Sequence, residues 1–476
     1  MKSILQNTKF LVLFALIVPA VVIFHRLGES PLAGDDCYYS EVSKEMAASG
    51  DYLTPRNAGI VDFHTSKPPM LFWMNALSGK LFGFNTAAMR LPSAMLGYLG
   101  VVALFFFCRR YFGLETAFLS SIILTFTQQY LYHSRSAVTD GPFAVFFAFS
   151  LFAFWAARSE HKAYFYYLFG FFLGLAVMTR QLPGFFIYTV ILAYMVLAKD
   201  YKALKEKHFY GAILLSFAVI LPWHIIMYAK YGMAFIKQYF GVALMTGITG
   251  YPESYSSNPS LNPWYAYFEI LLSNYQPWLI FVVIGLYRIF RKFGSFEPER
   301  KKQLIFALAW CFAPLLVFQA AKVKQYHYIM PLYIPFAIIS AYAISDLGEK
   351  AKFRITAGLA AIAVCLAAAY IVYPVIPKTL DSREYVENLK LVPELKKTEG
   401  DVYILKHGSS YFNNCFWFYA DKRSVPCSDS EFAGLFNAPQ KRVFAVLKED
   451  LAGIKSLLAK PAGILKETED SVLFTN

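Results

Sequence analysis

The sequence predicts a polytopic α-helical membrane protein of about eleven spans with a small C-terminal extracytoplasmic α/β domain. Three observations carry that expectation. The 476 residues are 57% hydrophobic and 18% aromatic but only 16% charged, and the mean hydropathy is +0.42, which is membrane rather than soluble composition. Apolar segments of roughly twenty residues, the length a bilayer core demands, recur from Phe10 to Tyr373 between short charged loops. From about Pro377 to Asn476 the apolar runs shorten and charges return, as in a soluble domain. The net charge of +13 is largely housed in short basic loops, where it sets orientation. It is not read as a nucleic-acid signature.

Taken in order, Phe10 to Phe24 follow Lys2 and Lys9 without a small-x-small cleavage site afterwards, so they read as a retained first span. The second span runs from about Ala87 to Phe107 and stops at Arg109 and Arg110. The third covers Ala117 to Tyr130, and the turn YHSRSAVTD leads into the fourth, Phe143 to Ala157. A fifth ends near Arg180, a sixth covers Phe185 to Ala198, and a seventh Gly211 to Tyr228. After a polar loop from Lys230 to Asn262, an eighth span is expected from Trp264 to Tyr287. The ninth, Leu304 to Gln319, reaches KVKQYHY; the tenth returns from Tyr328 to Ile344, and the eleventh covers Ala357 to Tyr373. In the tail, VYIL and RVFAVL read as strands, while SREYVENLKLVPELKK and DLAGIKSLL have helical spacing. The domain division is therefore 1–376, with a long first loop at about 26–86, and 377–476.

The positive-inside rule fixes the orientation. With a cytoplasmic N-terminus, the basic loops at Arg109, Arg158, Lys199, Arg291 and Lys350 all fall on the cytoplasmic side. The opposite side receives the first loop, YHSRSAVTD, Lys230 to Asn262, KVKQYHY and the tail. Every informative polar motif lands on that extracytoplasmic face.

Within the first loop, Asp35 and Asp36 open an amphipathic helix whose face carries Tyr39, Val42 and Met46. Gly50 ends it in the manner of a C′ glycine. A second helix is expected to begin at Lys67-Pro68-Pro69, since proline suits a first helical turn. Lys67 is then a cation at the positive end of a helix dipole, a cost of a few tenths to about 1 kcal/mol unless an anion lies there.

Each motif has a plain alternative. Asp35 and Asp36 can cap a helix, although one acid suffices; adjacent carboxylates also raise each other's pKa, which suits a general base. Lys67 can be an interfacial snorkelling lysine. Asp140 can cap the fourth span, but an acid at a span's edge is a functional candidate by default. Lys322 and Lys324, with Tyr326, His327 and Tyr328, are basic on the wrong face for the positive-inside pattern, which a local anion such as a lipid phosphate explains. Cys108, Cys311 and Cys365 read as buried apolar side chains. Cys415 and Cys427, flanking FWFYADKRSVP in an oxidising compartment, are the expected disulfide, with two unpaired thiols as the alternative.

GDDCYYSEVSKEMAASGDYLTP, SKPPMLFWMNALSGKLFG, MRLPSA, SRSAVTDGPF, PWYAYFEILL and KVKQYHYIMPLYIP occur in this order. The ordered set, which extends over roughly the whole chain, resembles bacterial polyprenyl-phosphate-sugar glycosyltransferases, a group with aminoarabinose lipid A transferases and relatives of protein O-mannosyltransferases (glycosyltransferase family 39 type). The resemblance implies a GT-C fold and a periplasm-facing enzyme of the bacterial inner membrane. It maps Asp35 onto the catalytic acid of the first loop, Lys67 onto the lysine of the KPP motif, Asp140 onto the acid opening the fourth span, and Tyr328 onto the tyrosine before the MPLY-type segment. Many relatives place Glu before the KPP lysine, where this chain has Ser66, and carry His and Arg before PWYAY, where YPESYSSNPSLN has neither. A divalent metal is left open, with His64 and Glu253 as candidate ligands.

The expected chemistry is inverting transfer of a sugar from an undecaprenyl-type polyprenyl-phosphate carrier to lipid A, a glycan or a protein, among membrane lipids. Lys67, Lys322, Lys324 and Tyr328 are assigned to the donor phosphate, and Asp35, Asp36 and Asp140 to acid-base or orienting work. The alternative is a polytopic transporter or flippase for lipid-linked substrates. Such proteins keep their acids mid-membrane in repeated halves, whereas here the acids lie in loops and no repeat is evident.

Overall fold

The computed structural model describes residues 7–57, 59–63, 67–241, 263–321, 324–373, 383–407, 410–411 and 415–476. It divides into two compact units. The first comprises Met1–Leu27, Phe63–Leu71 and Arg90–Val375, and the second Gly28–Asp62, Phe72–Met89 and Ile376–Asn476.

The first unit is a bundle of apolar helices, and the chain is a multi-span membrane protein. Among the described residues seven helices are long and apolar enough to cross a bilayer, and three shorter apolar helices accompany them, Thr8–Phe24, Leu114–Thr125 and Leu182–Ala198. Asp140–Glu160 is apolar around its whole circumference and correspondingly buried on nearly every side, as expected of a central span. It packs beside Ala163–Arg180, where Gly170 and Gly174 let Lys207–Ile236 approach so closely that a Cβ on Gly170 would meet the Ala212 carbonyl, the small-residue packing of membrane helices. Two expected spans are corrected. The eighth is a pair of helices, Ala266–Asn274 and Leu279–Ser295, bent by 114°. Pro277, between them, cannot donate to a helical ladder and disfavours helix at Gln276. The third stops at Thr125 and restarts at Gln128–Ser134; there the Thr127 hydroxyl donates to the Ile123 carbonyl at 2.7 Å, a local bond that competes with the helix ladder. Cys108 and Cys311 are buried, as expected, whereas Cys365 is exposed on the outer face of Glu349–Val372.

Arg135, from YHSRSAVTD, is buried and donates to the carbonyls of Val22 at 2.9 Å and Ile23 at 2.6 Å. These are the last carbonyls of Thr8–Phe24, which have no partner within the helix. Its position in a polar motif thus serves a helix C-terminus.

The second unit is built on a six-stranded sheet. Val402–His407 (β3) pairs in parallel with Ser424–Cys427 (β5) and Val443–Leu447 (β6), which pairs antiparallel with Ser471–Thr475 (β8). Gly463–Glu467 (β7) borders β8, and Ser410–Tyr411 (β4) pairs with β3; β1 and β2 are a two-residue ribbon, Arg56–Asn57 with Ile60–Val61, in the first loop. Strand alternation supplies two cores. Val402, Ile404, Val443, Ala445 and Leu473 pack with Leu391, Leu395 and Phe416 on one face. Leu405, Phe444, Val446, Val472 and Phe474 pack with Phe432 and Phe436 on the other.

The first-loop helix, Asp35–Ser49, begins and ends as expected. Tyr39, Val42 and Met46 are buried and Gly50 closes it with φ 74°, a left-handed conformation that glycine adopts without strain. Its inner face meets the short tail helix Phe416–Ala420. Lys44 donates to the carbonyls of Trp417 at 3.1 Å and Phe418 at 2.7 Å and pairs with Asp421 at 2.6 Å. Glu41 accepts from the Phe418 amide at 3.3 Å, and Tyr419 Oη accepts from the Leu32 amide at 2.9 Å. Cys37 and Cys415 are joined across 378 residues of sequence, with Cα atoms 5.7 Å apart. The expected Cys415–Cys427 bond is therefore corrected. Cys427 ends strand β5 with its thiol buried in the Phe432–Phe444 core, whereas Cys415 precedes the tail helix that meets Asp35–Ser49.

Two outcomes follow for this unit. Under denaturing, unreduced conditions thiol labelling should modify four of the six cysteines, Cys108, Cys311, Cys365 and Cys427, and all six after reduction; mass mapping that finds Cys415 labelled without reductant would contradict the bond. Burial pushes the Glu41 carboxyl up to about 7 from its ordinary 4.5, against the pull of the Phe418 and Trp417 amides. The folded unit then holds this proton more tightly than the unfolded chain, so its contribution is full below about 4.5 and is lost as pH rises through about 7. Glu41→Gln should flatten the pH dependence of the unit's thermal midpoint across that window. An unchanged slope would assign the titration to another group.

Candidate active site

The sequence-predicted residues fall into both units, and each group is described within its own. In the second unit Asp35 is exposed and Asp36 buried, although they are neighbours. Gly34, with φ 55°, is the N-cap, and it makes no side-chain cap bond. Asp35 is thus the first helical residue rather than the cap, where the partial positive charge of the helix N-terminus favours a carboxylate. Asp36 directs its backbone carbonyl to the Ser40 hydroxyl, which donates at 2.6 Å. The pair is split by burial: Asp35 faces outward, while Asp36 is part of the loop's packing.

In the first unit the helix after Lys67-Pro68-Pro69 starts at Met70. Lys67 precedes it rather than occupying its first turn, because each residue followed by proline is driven from helical geometry. Lys67 is half-buried and lies within electrostatic reach of His327, as do Arg180 and His133. Asp140 begins its helix as expected, but it does not act as a cap. It forms a buried ion pair with Arg180, at the C-terminal end of Ala163–Arg180. The Arg180 guanidinium lies 5.4 Å from the Tyr328 ring centroid, a cation–π distance. Lys324 is buried to 9% exposure and donates to the Ala321 carbonyl at 2.9 Å.

His133 completes this cluster. Its Nδ1 is 2.8 Å from the Gln129 carbonyl, and its ring is 6.0 Å from that of Tyr326. Burial pulls the imidazole down to about 4, so it is neutral at neutral pH. Asp140, Arg180, Tyr328, His133, His327 and Lys67 thus share one polar region at one end of the bundle. Lys322, His64 and Glu253 lie outside the described residues. Among the described residues, Cys37, Glu41 and Cys415 approach one another as metal ligands would, but the disulfide uses both sulfurs, so that trio does not suit a metal.

Arg180 and His133 carry no role in the sequence reading. The sequence does mark Arg180: under the expected orientation it ends a span on the side where positive charge is disfavoured, the same departure that singles out Lys322 and Lys324. His133 had no such mark, since only packing puts its ring beside Tyr326.

The buried pair generates a prediction. Removing one partner leaves the other charge uncompensated, at a cost of about 3–5 kcal/mol, whereas removing both costs less. Arg180→Met and Asp140→Leu should each lower the thermal midpoint of the detergent-solubilised protein more than the double substitution does. Additive losses in the double variant would show that the two charges are not coupled.

Residues 66–250 match the family model described as dolichyl-phosphate-mannose-protein mannosyltransferase. An uncharacterized protein of Aquifex aeolicus is 27% identical over 71% of this chain and 64% of its own length. The undecaprenyl phosphate-alpha-4-amino-4-deoxy-L-arabinose arabinosyl transferase of Edwardsiella ictaluri is 28% identical over 67% of this chain and 56% of its own. The chain thus spans somewhat under two thirds of these curated relatives. In solved structures, ArnT from Cupriavidus metallidurans, crystallised apo and bound to undecaprenyl phosphate, aligns with a TM-score of 0.81 over 98% of both chains at 17% identity. The Archaeoglobus fulgidus oligosaccharyltransferase aligns with a TM-score of 0.58 over 95% of this chain and 71% of its own, at 14% identity. Bundle and sheet domain together show that the chain has the fold of these structures, the GT-C fold.

Proposed function

We propose that this protein is an inverting glycosyltransferase of the bacterial inner membrane that moves a sugar from a polyprenyl-phosphate carrier to lipid A on the periplasmic face. The observation that carries the reading is the cationic and aromatic cluster of Lys67, Arg180, His327 and Tyr328 at one end of a GT-C bundle. Relatives named as undecaprenyl phosphate-alpha-4-amino-4-deoxy-L-arabinose arabinosyl transferases support the choice of donor, and the motif resemblance to lipid A transferases supports the acceptor. Other glycans and proteins are the remaining acceptors of the same chemistry. The relatives named above for an activity are transferases, and the position of Asp35 and Asp36 in the first loop speaks against the transporter alternative.

A donor phosphate leaving an anomeric carbon carries developing negative charge, which pre-positioned cations stabilise. Lys67 and Lys324, with Lys322 two residues before Lys324 in sequence, take that role. Tyr328 and Asp140 hold the Arg180 guanidinium from two sides, so Asp140 is a positioning residue for a cation and not the base. Asp35, exposed at a helix start, accepts the proton of an acceptor hydroxyl or orients an acceptor phosphate. The acceptor oxygen bonds to the anomeric carbon as the carbon–oxygen bond to phosphate breaks, and polyprenyl phosphate departs as an anion. One displacement inverts the anomeric centre.

The orientation reading places the first loop and the residues 377–476 domain in the periplasm, with a cytoplasmic N-terminus. The Cys37–Cys415 bond supports it, since a disulfide joins residues on one side of the membrane and persists in an oxidising compartment.

The test is sugar transfer in liposomes from a labelled polyprenyl-phosphate sugar. Asp35→Asn keeps the shape and loses the base, which typically costs about a hundredfold to ten-thousandfold in rate, with thermal stability held nearly constant. Near-wild-type turnover in this variant would remove Asp35 from the chemistry. Lys67→Ala should lose donor binding and Lys67→Arg should retain part of it, because the charge survives while its geometry changes. Donor affinity unaltered in Lys67→Ala would make the lysine an interfacial anchor. Mass spectrometry of lipid A and of envelope glycoproteins from a deletion strain identifies the acceptor.

A further inference from the structure

The other end of the bundle carries a second polar assembly that sugar transfer does not use. Arg158 bonds Asp200 at 2.8 Å and Glu299 at 2.8 Å, and Asp346 receives Arg288 at 3.3 Å and Lys292 at 2.8 Å. Beside this network lies a cavity of about 390 Å³, with Arg300, Thr116, Ser345 and the chain from Gly113 to Glu115 in its wall.

Arg300 is the unusual member. Among the described residues no carboxylate lies within ion-pair distance of it, and its one hydrogen bond is to Gln303 Oε1 at 3.0 Å. A guanidinium carries five N–H donors. Its faces are held by the rings of Phe112 at 5.0 Å and Tyr342 at 5.2 Å, which fixes its plane and leaves its edge for a ligand. It also lies in the first turn of Pro298–Ala320, where a helix dipole disfavours a cation.

The neighbouring stretch of the wall repeats the pattern. Leu114–Thr125 starts with Gly113 as an N-cap that makes no side-chain bond, so its first amides border the cavity without a capping oxygen. The hydroxyls of Thr116 and Ser345, 3.2 Å apart, are engaged with each other, and Ser345 also donates to the Ala341 carbonyl at 2.8 Å, so the free donors here are those of Arg300 and the helix amides. The two acids on the wall are already neutralised, Asp346 by Arg288 and Lys292 and Glu115 by Lys352 at 3.0 Å. An oriented arginine and a helix N-terminus thus line one cavity, and both acids of its wall are engaged by other cations.

We propose that this cavity binds a phosphate group, and that the phosphate is the headgroup of an anionic membrane phospholipid. The cavity lies where the ends of Thr86–Tyr111, Pro298–Ala320 and Tyr326–Ser345 meet. Ends of membrane-spanning helices stand at headgroup depth. A lipid seated there ties three spans together through one anion.

The test uses the full chain in detergent and native mass spectrometry with phosphatidylglycerol, dioleoylglycerol and inorganic phosphate as separate probes. Wild-type protein should retain phosphatidylglycerol and not dioleoylglycerol, which lacks the phosphate. Arg300→Gln should weaken phosphatidylglycerol binding at least about tenfold, the scale of a lost charge-assisted hydrogen bond. Leu114→Glu keeps Arg300 and places an acid in a first helical turn, where it favours folding, yet it should repel the headgroup to a similar extent. Inorganic phosphate binding as well as the lipid, with the same loss in both variants, would keep the phosphate site and assign it to a free anion. Equal retention of dioleoylglycerol, or phosphatidylglycerol binding unchanged in a folded variant, would overturn the proposal.

Discussion

The position of Asp35 depends on a seam between two helices far apart in sequence. Asp35–Ser49 is held against Phe416–Ala420 by the Cys37–Cys415 bond, by Lys44 at two carbonyls and Asp421, and by Glu41 at the Phe418 amide. Unlike surface ion pairs, which contribute little, these contacts are mostly charged groups meeting backbone atoms in a covered interface. Charge-assisted bonds of that kind are the strong ones. A short helix with a polar mean composition has little reason to be stable alone, so the tail domain supplies the surface on which the loop helix forms.

The bundle shows a different constraint. Charges in membrane helices are tolerated where they are paired or lie near water, and here they gather at two ends. At one end Asp140 and Arg180 neutralise each other while Arg180 also lies against Tyr328. At the other, Arg158 links three elements through Asp200 and Glu299. The central helix, Asp140–Glu160, contributes to both ends, with Asp140 opening it and Arg158 in its last turn. A single apolar rod thereby fixes the spacing of two polar assemblies.

Much of the architecture is legible because hydrophobicity acts locally. Apolar runs of bilayer length, the alternation in VYIL and RVFAVL, and the Gly50 stop all report on neighbours within a few residues, and the corresponding helices and strands form. The Trp264 to Tyr287 run departs from the expected span for a related reason. Its composition satisfies a span, and the bend at Asn274 to Trp278 depends on how one proline is accommodated. The site was legible in part. Asp140 and Lys67 stand out because an acid or a cation at a span's edge is energetically awkward, Tyr328 stands out by its motif, and the rule for charges also marks Arg180.

The sequence by itself determined the class of molecule, the placement of most of its spans and the residues whose charge is out of place, since each follows from transfer energies that add along the chain. Only the tertiary structure decided which charges meet, that Asp35 is exposed while Asp36 is covered, and that Cys415 bonds Cys37 and not Cys427. Pairing is a property of distance in space. Cys415 is twelve residues from Cys427 and 378 from Cys37, and proximity along the chain favoured the wrong partner because loop closure is only one contribution to the bond. The other is the fold, which buries one thiol in a phenylalanine core and turns the other toward the loop helix.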